Sequence, residues 1–157
     1  MTTRRDWLRL TVGALLLGGP ARALGAAPFL AQNENAIEIW KSPTCGCCKL
    51  WVDHMRANGF QPTVHDVQDV GPFKRKLGVP PTLESCHTGV VGGYALEGHV
   101  PADVVRQMLK QRPQVAGLAV PGMPMGSPGM ESPYVKAESY DVMSFDKSGT
   151  TRVFAKH

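Results

Sequence analysis

Three of the chain's four cysteines fall within four positions, Cys45-Gly46-Cys47-Cys48, where one residue pattern gives way to another. Upstream, Ala36-Ile37-Glu38-Ile39-Trp40 alternates with the period of a strand. Ser42-Pro43-Thr44 interrupts it. Downstream, Cys48, Leu50, Trp51 and Met55 recur at helical spacing, with Lys49, Asp53 and Arg56 between them, until Asn58-Gly59 stops the helix. The thiols therefore belong to a strand-to-helix turn, where unpaired N–H groups and the helix dipole stabilise thiolates. Structural disulfides do not explain such a cluster. Cys47 and Cys48 are neighbours, and three cysteines in one turn cannot all staple distant segments. Two uses remain: passing electrons as a dithiol, or holding a soft metal ion.

The next segments order the elements. Gln61 to Val67 reads as a second strand, and Val70 to Leu77 as a short helix ended by Gly78. Val79-Pro80-Pro81-Thr82-Leu83 leads to Ser85-Cys86-His87-Thr88 and then to strand-like Val90-Val91 and Tyr94-Ala95-Leu96, with Gly92-Gly93 as the turn between them. Pro101 opens an amphipathic helix to about Lys110, striped by Val104, Val105, Met108 and Leu109. The order β-α-β-α-β-β-α predicts an α/β fold over residues 36–112: a thioredoxin-like central sheet with helices on both faces. Cys45 and Cys48 would be its C-x-x-C pair, and either Pro80 or Pro81 its cis-proline. Residues 113–157 are expected to pack on the same domain as a Met/Gly/Pro-rich loop, Gly117 to Pro133, and a C-terminal β-hairpin around Asp146-Lys147-Ser148-Gly149.

The first 27 residues read as an export signal. Arg4-Arg5 precedes an apolar stretch, Leu10 to Gly19, and a small-x-small pattern, Ala21-Arg22-Ala23. The stretch falls short of the roughly 20 apolar residues of a membrane span. The paired arginines favour a twin-arginine (Tat) signal over a Sec signal, and either one sends the mature chain to a bacterial periplasm. No membrane span is expected in the mature chain. Of the formal charge of +4, part belongs to this leader, and no basic run interleaved with aromatics follows it, which argues against nucleic acid.

A dithiol needs only Cys45 and Cys48, and Cys47 has no part in that chemistry. A third thiolate suits a metal. Cys86 and His87 follow the proline turn and would add a fourth sulfur and an imidazole, and His99 lines the same edge. His54 shares a helical face with Cys47 but lies ~10 Å further along, so it is placed beside the site or at the surface. His65 reads as a polar strand residue without a partner, and His157 is terminal. Zinc favours closed sites built from spaced ligand pairs, and iron–sulfur clusters are awkward with adjacent cysteines. Thiolates, imidazoles and the methionines Met123, Met125 and Met130 together fit copper. Gap-filling in the core is the competing use of those methionines.

Several separated motifs resemble the CopG-type family of periplasmic copper-resistance proteins. They are Cys45-Gly46-Cys47-Cys48 with Trp51 and His54, Gly78-Val79-Pro80, Ser85-Cys86-His87-Thr88, Gly92-Gly93-Tyr94, Glu97-Gly98-His99-Val100-Pro101-Ala102, Gly117 to Pro124 and Gly126 to Glu131. The resemblance runs from about Ile37 onward. It implies a thioredoxin-like fold, a copper site on the C-x-C-C turn and the later Cys-His, and conversion between Cu(I) and Cu(II). The expected metal-binding residues are Cys45, Cys47, Cys48, Cys86, His87, His99, Met123, Met125 and Met130, with copper ions and other periplasmic copper-handling proteins as partners. The alternatives are a thiol–disulfide oxidoreductase, with Cys45 as nucleophile and Cys48 as resolving thiol, and a non-redox copper chaperone or store.

Overall fold

Strand β1 (Ala36–Lys41) buries Ile37, Ile39 and Lys41 and turns Ala36 and Glu38 to solvent, because successive side chains of a strand face opposite ways. This strand organises the computed structural model, which describes residues 33–157. The export signal expected over residues 1–27 lies outside the described residues. Helix α1 (Gly46–Ala57) follows, then β2 (Gln61–Asp66), α2 (Gly71–Leu77), a short 3-10 turn (Pro81–Leu83), β3 (His87–Val91) and β4 (Tyr94–Gly98). Helix α3 (Ala102–Gln111) leads to β5 (Gly117–Val120), β6 (Asp141–Phe145) and β7 (Thr151–Lys156). All seven strands form one mixed sheet in the order β2-β1-β3-β4-β5-β6-β7. The pairs β1·β2 and β4·β5 are parallel, each joined by a crossover helix, and the other pairs are antiparallel.

The two crossover helices cover one face. Helix α1 presents Cys48, Trp51, Val52 and Met55, and α3 presents Val104, Val105, Met108 and Leu109, each as a stripe at i, i+3, i+4 spacing. These apolar stripes meet Ile37, Ile39, Leu96, Leu118 and Val120 in the main core. Each such side chain removed from water stabilises the fold by about 1.5–3 kcal/mol. Helix α2 lies on the opposite face, where Phe73 stacks on Trp40 with ring centroids 4.7 Å apart. A smaller core of Val79, Leu83, Ala95, Ala119 and Phe145 fills that side. Among the described residues no helix is long and apolar enough to cross a membrane.

The structure corrects three expectations. Gly117 to Val120 was expected to begin a loop, yet it is a fully buried strand between β4 and β6. A strand buried on both faces carries no alternation, so its short apolar run blends into the Gly/Pro segment after it. Neither Pro80 nor Pro81 is cis, and no cis peptide occurs among the described residues. Pro80 is extended and Pro81 opens the 3-10 turn, a position suited to its fixed φ. His65 has a partner after all. Its Nε2 lies 2.5 Å from Glu38 Oε2, and its ring stacks on Trp40 at 5.5 Å. The parallel pairing of β1 with β2 makes these side chains neighbours.

Candidate metal centre

Cys45 occupies the N-cap of α1 in extended backbone (φ −75°, ψ 99°), and its Sγ accepts the Cys48 N–H at 3.4 Å. Cys45 and Cys48 are joined by a disulfide, while Cys47 and Cys86 are free. Cys47 Sγ lies 3.5 Å from Cys45 Sγ. The antiparallel pairing of β1 with β3 brings Cys86 across the chain to this turn, and its carbonyl lies 3.8 Å from Cys48 Sγ. The sulfurs of Cys45, Cys47, Cys48 and Cys86 all fall within 4.8 Å of one another.

Cys86 also belongs to a second group. Its Sγ is 3.0 Å from His99 Nε2 and 3.3 Å from His87 Nδ1, and one donor atom from each of the three residues lies within 4.8 Å of the others. His99 Nδ1–H donates to the Pro128 carbonyl at 2.7 Å, which leaves the Nε2 lone pair facing the sulfur. His87, the first residue of β3, is fully buried against Trp51, with ring centroids 4.3 Å apart. Its Nε2 has no hydrogen-bond partner, an uncommon state for a buried polar atom.

Burial sets the protonation states. It pushes the Cys86 thiol up to about 12, with the neighbouring Cys47 adding to the rise. Burial also holds His87 well below the usual imidazole value, helped by His99, Lys74 and Lys41. His99 is lowered by burial too, against the opposing pull of its bond to Pro128 and of Glu131. Both imidazoles are therefore neutral at pH 7, with lone pairs free for a cation. Soft sulfur donors beside imidazole nitrogens suit a soft or borderline metal such as copper, and the donor set fits that group.

The methionine loop is tied to this centre through its backbone. Ser127, Pro128 and Gly129 are buried, and the segment closes on itself through Gly126 N–H to Met130 O and Met130 N–H to Ser127 O. Gly129 has φ +87°, and a Cβ there would stand 2.8 Å from both Cys47 O and Trp51 N, so the loop rests on the first turn of α1. Met123 is exposed with a left-handed φ of 49°, while Met125 and Met130 are partly buried. His54 lies away from the sulfurs, with its Nε2 accepting the Ala102 N–H at 3.2 Å at the start of α3.

Pattern reading passed over Pro128, which aims His99, and the buried Lys74 and Glu97 beside Ser85. A lone charge in the apolar run Tyr94-Ala95-Leu96-Glu97 was the available signal for Glu97.

Residues 83–130 match the family described as "Protein of unknown function, DUF411", a span holding Cys86, His87, His99 and the three loop methionines. The solved structure named "Copper resistance protein copG- Form 2" shares 45% identity with a TM-score of 0.73, over 78% of this chain and 97% of that one. The chain belongs to the CopG family. A second CopG structure, "Copper resistance protein copG- Form 1", matches at 45% identity and a TM-score of 0.72, over 78% of this chain and 96% of that one. A search of curated proteins finds no significant match. The CopG likeness covers far more of the chain than the 83–130 match, which begins after the C-x-C-C turn.

Proposed function

We propose that this chain is a periplasmic copper-binding protein that holds copper between the C-x-C-C turn and the Cys86–His87–His99 group and interconverts Cu(I) and Cu(II) in copper resistance. The observation that carries the reading is the double membership of Cys86, whose sulfur is within reach of three other sulfurs and of two imidazoles. A thiolate shared between two donor groups could bridge two soft ions. Cys45, Cys47, Cys48 and Cys86 would supply thiolates, and His87 and His99 neutral nitrogens. Sulfur donors favour Cu(I), and added imidazole tolerates Cu(II), so a mixed set accommodates both states. Bound copper would supply the one-electron couple. The protein's part is to present the donors: the α1 N-terminus stabilises thiolates, the Pro128 carbonyl aims His99, and the buried surroundings limit water.

As a disulfide, Cys45 and Cys48 offer no thiolate. Reduction by two electrons and two protons returns both thiols, so full loading calls for the reduced chain. The methionine loop, with exposed Met123 beside partly buried Met125 and Met130, would serve as lid or transfer route toward other periplasmic copper-handling proteins. The segment 36–112 is taken as a thioredoxin-like core, supported by the strand order β2-β1-β3-β4 and by thiols at the first helix N-terminus. Residues 113–157 extend its sheet. A twin-arginine signal over residues 1–27 would export the chain already folded.

The test is copper stoichiometry by elemental analysis of the reduced protein, with a free-thiol count before and after chelation. Bound copper with few reactive thiols, the thiols returning on chelation, is the expected result. Copper loading unchanged in Cys47→Ser would refute the site.

The Cys45–Cys48 disulfide favours one other reading, a thiol–disulfide oxidoreductase. In that chemistry the Cys45 thiolate attacks a substrate disulfide, and Cys48 then displaces the reduced product to close the internal bond. Under it, Cys45→Ser abolishes exchange while Cys47→Ser and His87→Ala leave it intact.

A further inference from the structure

The one buried residue of α2 is a lysine, Lys74, and it meets a fully buried carboxylate, Glu97 of β4. Both groups converge on Ser85. Lys74 Nζ donates to the Ser85 carbonyl at 2.9 Å, and Glu97 Oε1 accepts the Ser85 N–H at 2.5 Å. Thr88 completes the network by accepting from Lys74 at 3.1 Å and donating to Glu97 Oε2 at 2.7 Å. Ser85 is thus gripped at its amide by a carboxylate and at its carbonyl by an ammonium. The next residue is Cys86.

The chain after Glu97 acts on the same dipeptide. Gly98 has φ +68°, and a Cβ there would lie 2.6 Å from Ser85 Oγ and from Val120 O, so only glycine lets Ser85 seat against the end of β4. His99 then meets the Cys86 sulfur at 3.0 Å. Three consecutive residues therefore hold, admit and face Ser85-Cys86.

A buried ion pair is a poor stabilising device, since apolar residues of similar volume serve as well or better. Geometry is what this pair adds. Glu84, Ser85 and Cys86 lie outside helix and strand, between the 3-10 turn and β3, where backbone regularity does not set the cysteine's place. We propose that Lys74 and Glu97 are positioning residues that clamp the Ser85 peptide and so fix the Cys86 sulfur where the four-cysteine and Cys-His-His groups meet. The inference rests on the copper reading, and it names what makes Cys86 available to both groups at once.

The experiment measures Cu(I) affinity of the reduced protein by competition with bathocuproine disulfonate, alongside a urea unfolding midpoint. The double variant K74M/E97L replaces the pair by apolar side chains and releases Ser85 on both sides. It is expected to fold with a lowered midpoint, because the Ser85 amide, the Ser85 carbonyl and the Thr88 hydroxyl lose these partners. It should bind Cu(I) about 10–100-fold more weakly, the usual effect of losing the partners that orient metal ligands. Leu109→Ala removes a main-core side chain of α3 outside this network, so it lowers the midpoint and leaves the affinity unchanged. A folded K74M/E97L protein with wild-type affinity overturns the clamp while the copper reading stands. Should the double variant not fold, Lys74→Met, which frees the Ser85 carbonyl, decides: weaker Cu(I) binding than Leu109→Ala supports the clamp, and equal binding overturns it. A wild-type chain that takes up no Cu(I) overturns the copper reading and the clamp with it.

Discussion

Replacing Gly129 by alanine tests whether the methionine loop is seated on the cysteine helix. The residue has φ +87°, in the left-handed region that costs an L-residue about 1–2 kcal/mol. The added Cβ would also stand 2.8 Å from Cys47 O and Trp51 N and 3.2 Å from Leu50 Cβ. Two of these neighbours are helix backbone and cannot yield, so the loop must withdraw by about half an ångström to reach ordinary van der Waals separation. Pro128, the preceding residue, accepts the 2.7 Å bond from His99, and weakening that bond adds about 0.5–1.5 kcal/mol. The expected loss is about 2–3 kcal/mol in all.

Gly122 supplies the control. Its φ is +77°, and nothing lies within 4 Å of the Cβ it would gain, so Gly122→Ala carries the backbone cost alone. Urea unfolding of both variants, with the Cys45–Cys48 disulfide intact, compares them at a common slope. Gly129→Ala is expected to unfold at clearly lower urea than Gly122→Ala. Equal midpoints would mean that the loop does not rest on α1, and the account of how His99 is aimed would fall with it.

Leu118→Ala should cost about 2–5 kcal/mol, because Leu118 is fully buried in β5 between β4 and β6. A surface loop residue would change stability by less than about 0.5 kcal/mol, so chemical denaturation separates the two placements. Acidification should destabilise the fold. His87, His99 and His54 are all lowered, in each case by burial first, so the unfolded chain binds more protons than the folded one below pH 6.5. Their contribution is complete above pH 6.5 and is lost as pH falls toward the lowered folded values, whereas Glu97, raised by burial, works in the opposite sense. Urea midpoints in the Glu97→Gln background should therefore drop between pH 7.5 and pH 5.5, and a flat profile would contradict the buried neutral imidazoles. Chelation of copper-loaded protein should restore thiol reactivity in the wild type, while Cys47→Ser should show less copper to remove.

Much of the fold could be read locally. Ile37 and Ile39 alternate with polar neighbours, and Trp51 and Met55 return on one helical face, because each period is written by residues adjacent in the chain. The same locality placed Cys45 at a helix N-terminus and marked Pro101 as the start of α3. Strand β5 escaped because burial on both faces erases alternation and the Gly/Pro/Met run follows without a break. His65 was misjudged because its partner, Glu38, lies 27 residues away and meets it only through parallel pairing.

The order of strands and helices as far as α3, the strand-to-helix turn and the kinds of donor atom it carries were thus determined by the sequence alone, since neighbours in the chain dictate them. Tertiary structure decided which donors meet. Cys86 reaches Cys48 across 38 residues, His99 takes its tautomer from Pro128 across 29, and Lys74 finds Glu97 across 23. A buried polar group must find its partner wherever the sheet register brings one, and register is set by the packing of the whole core against both faces.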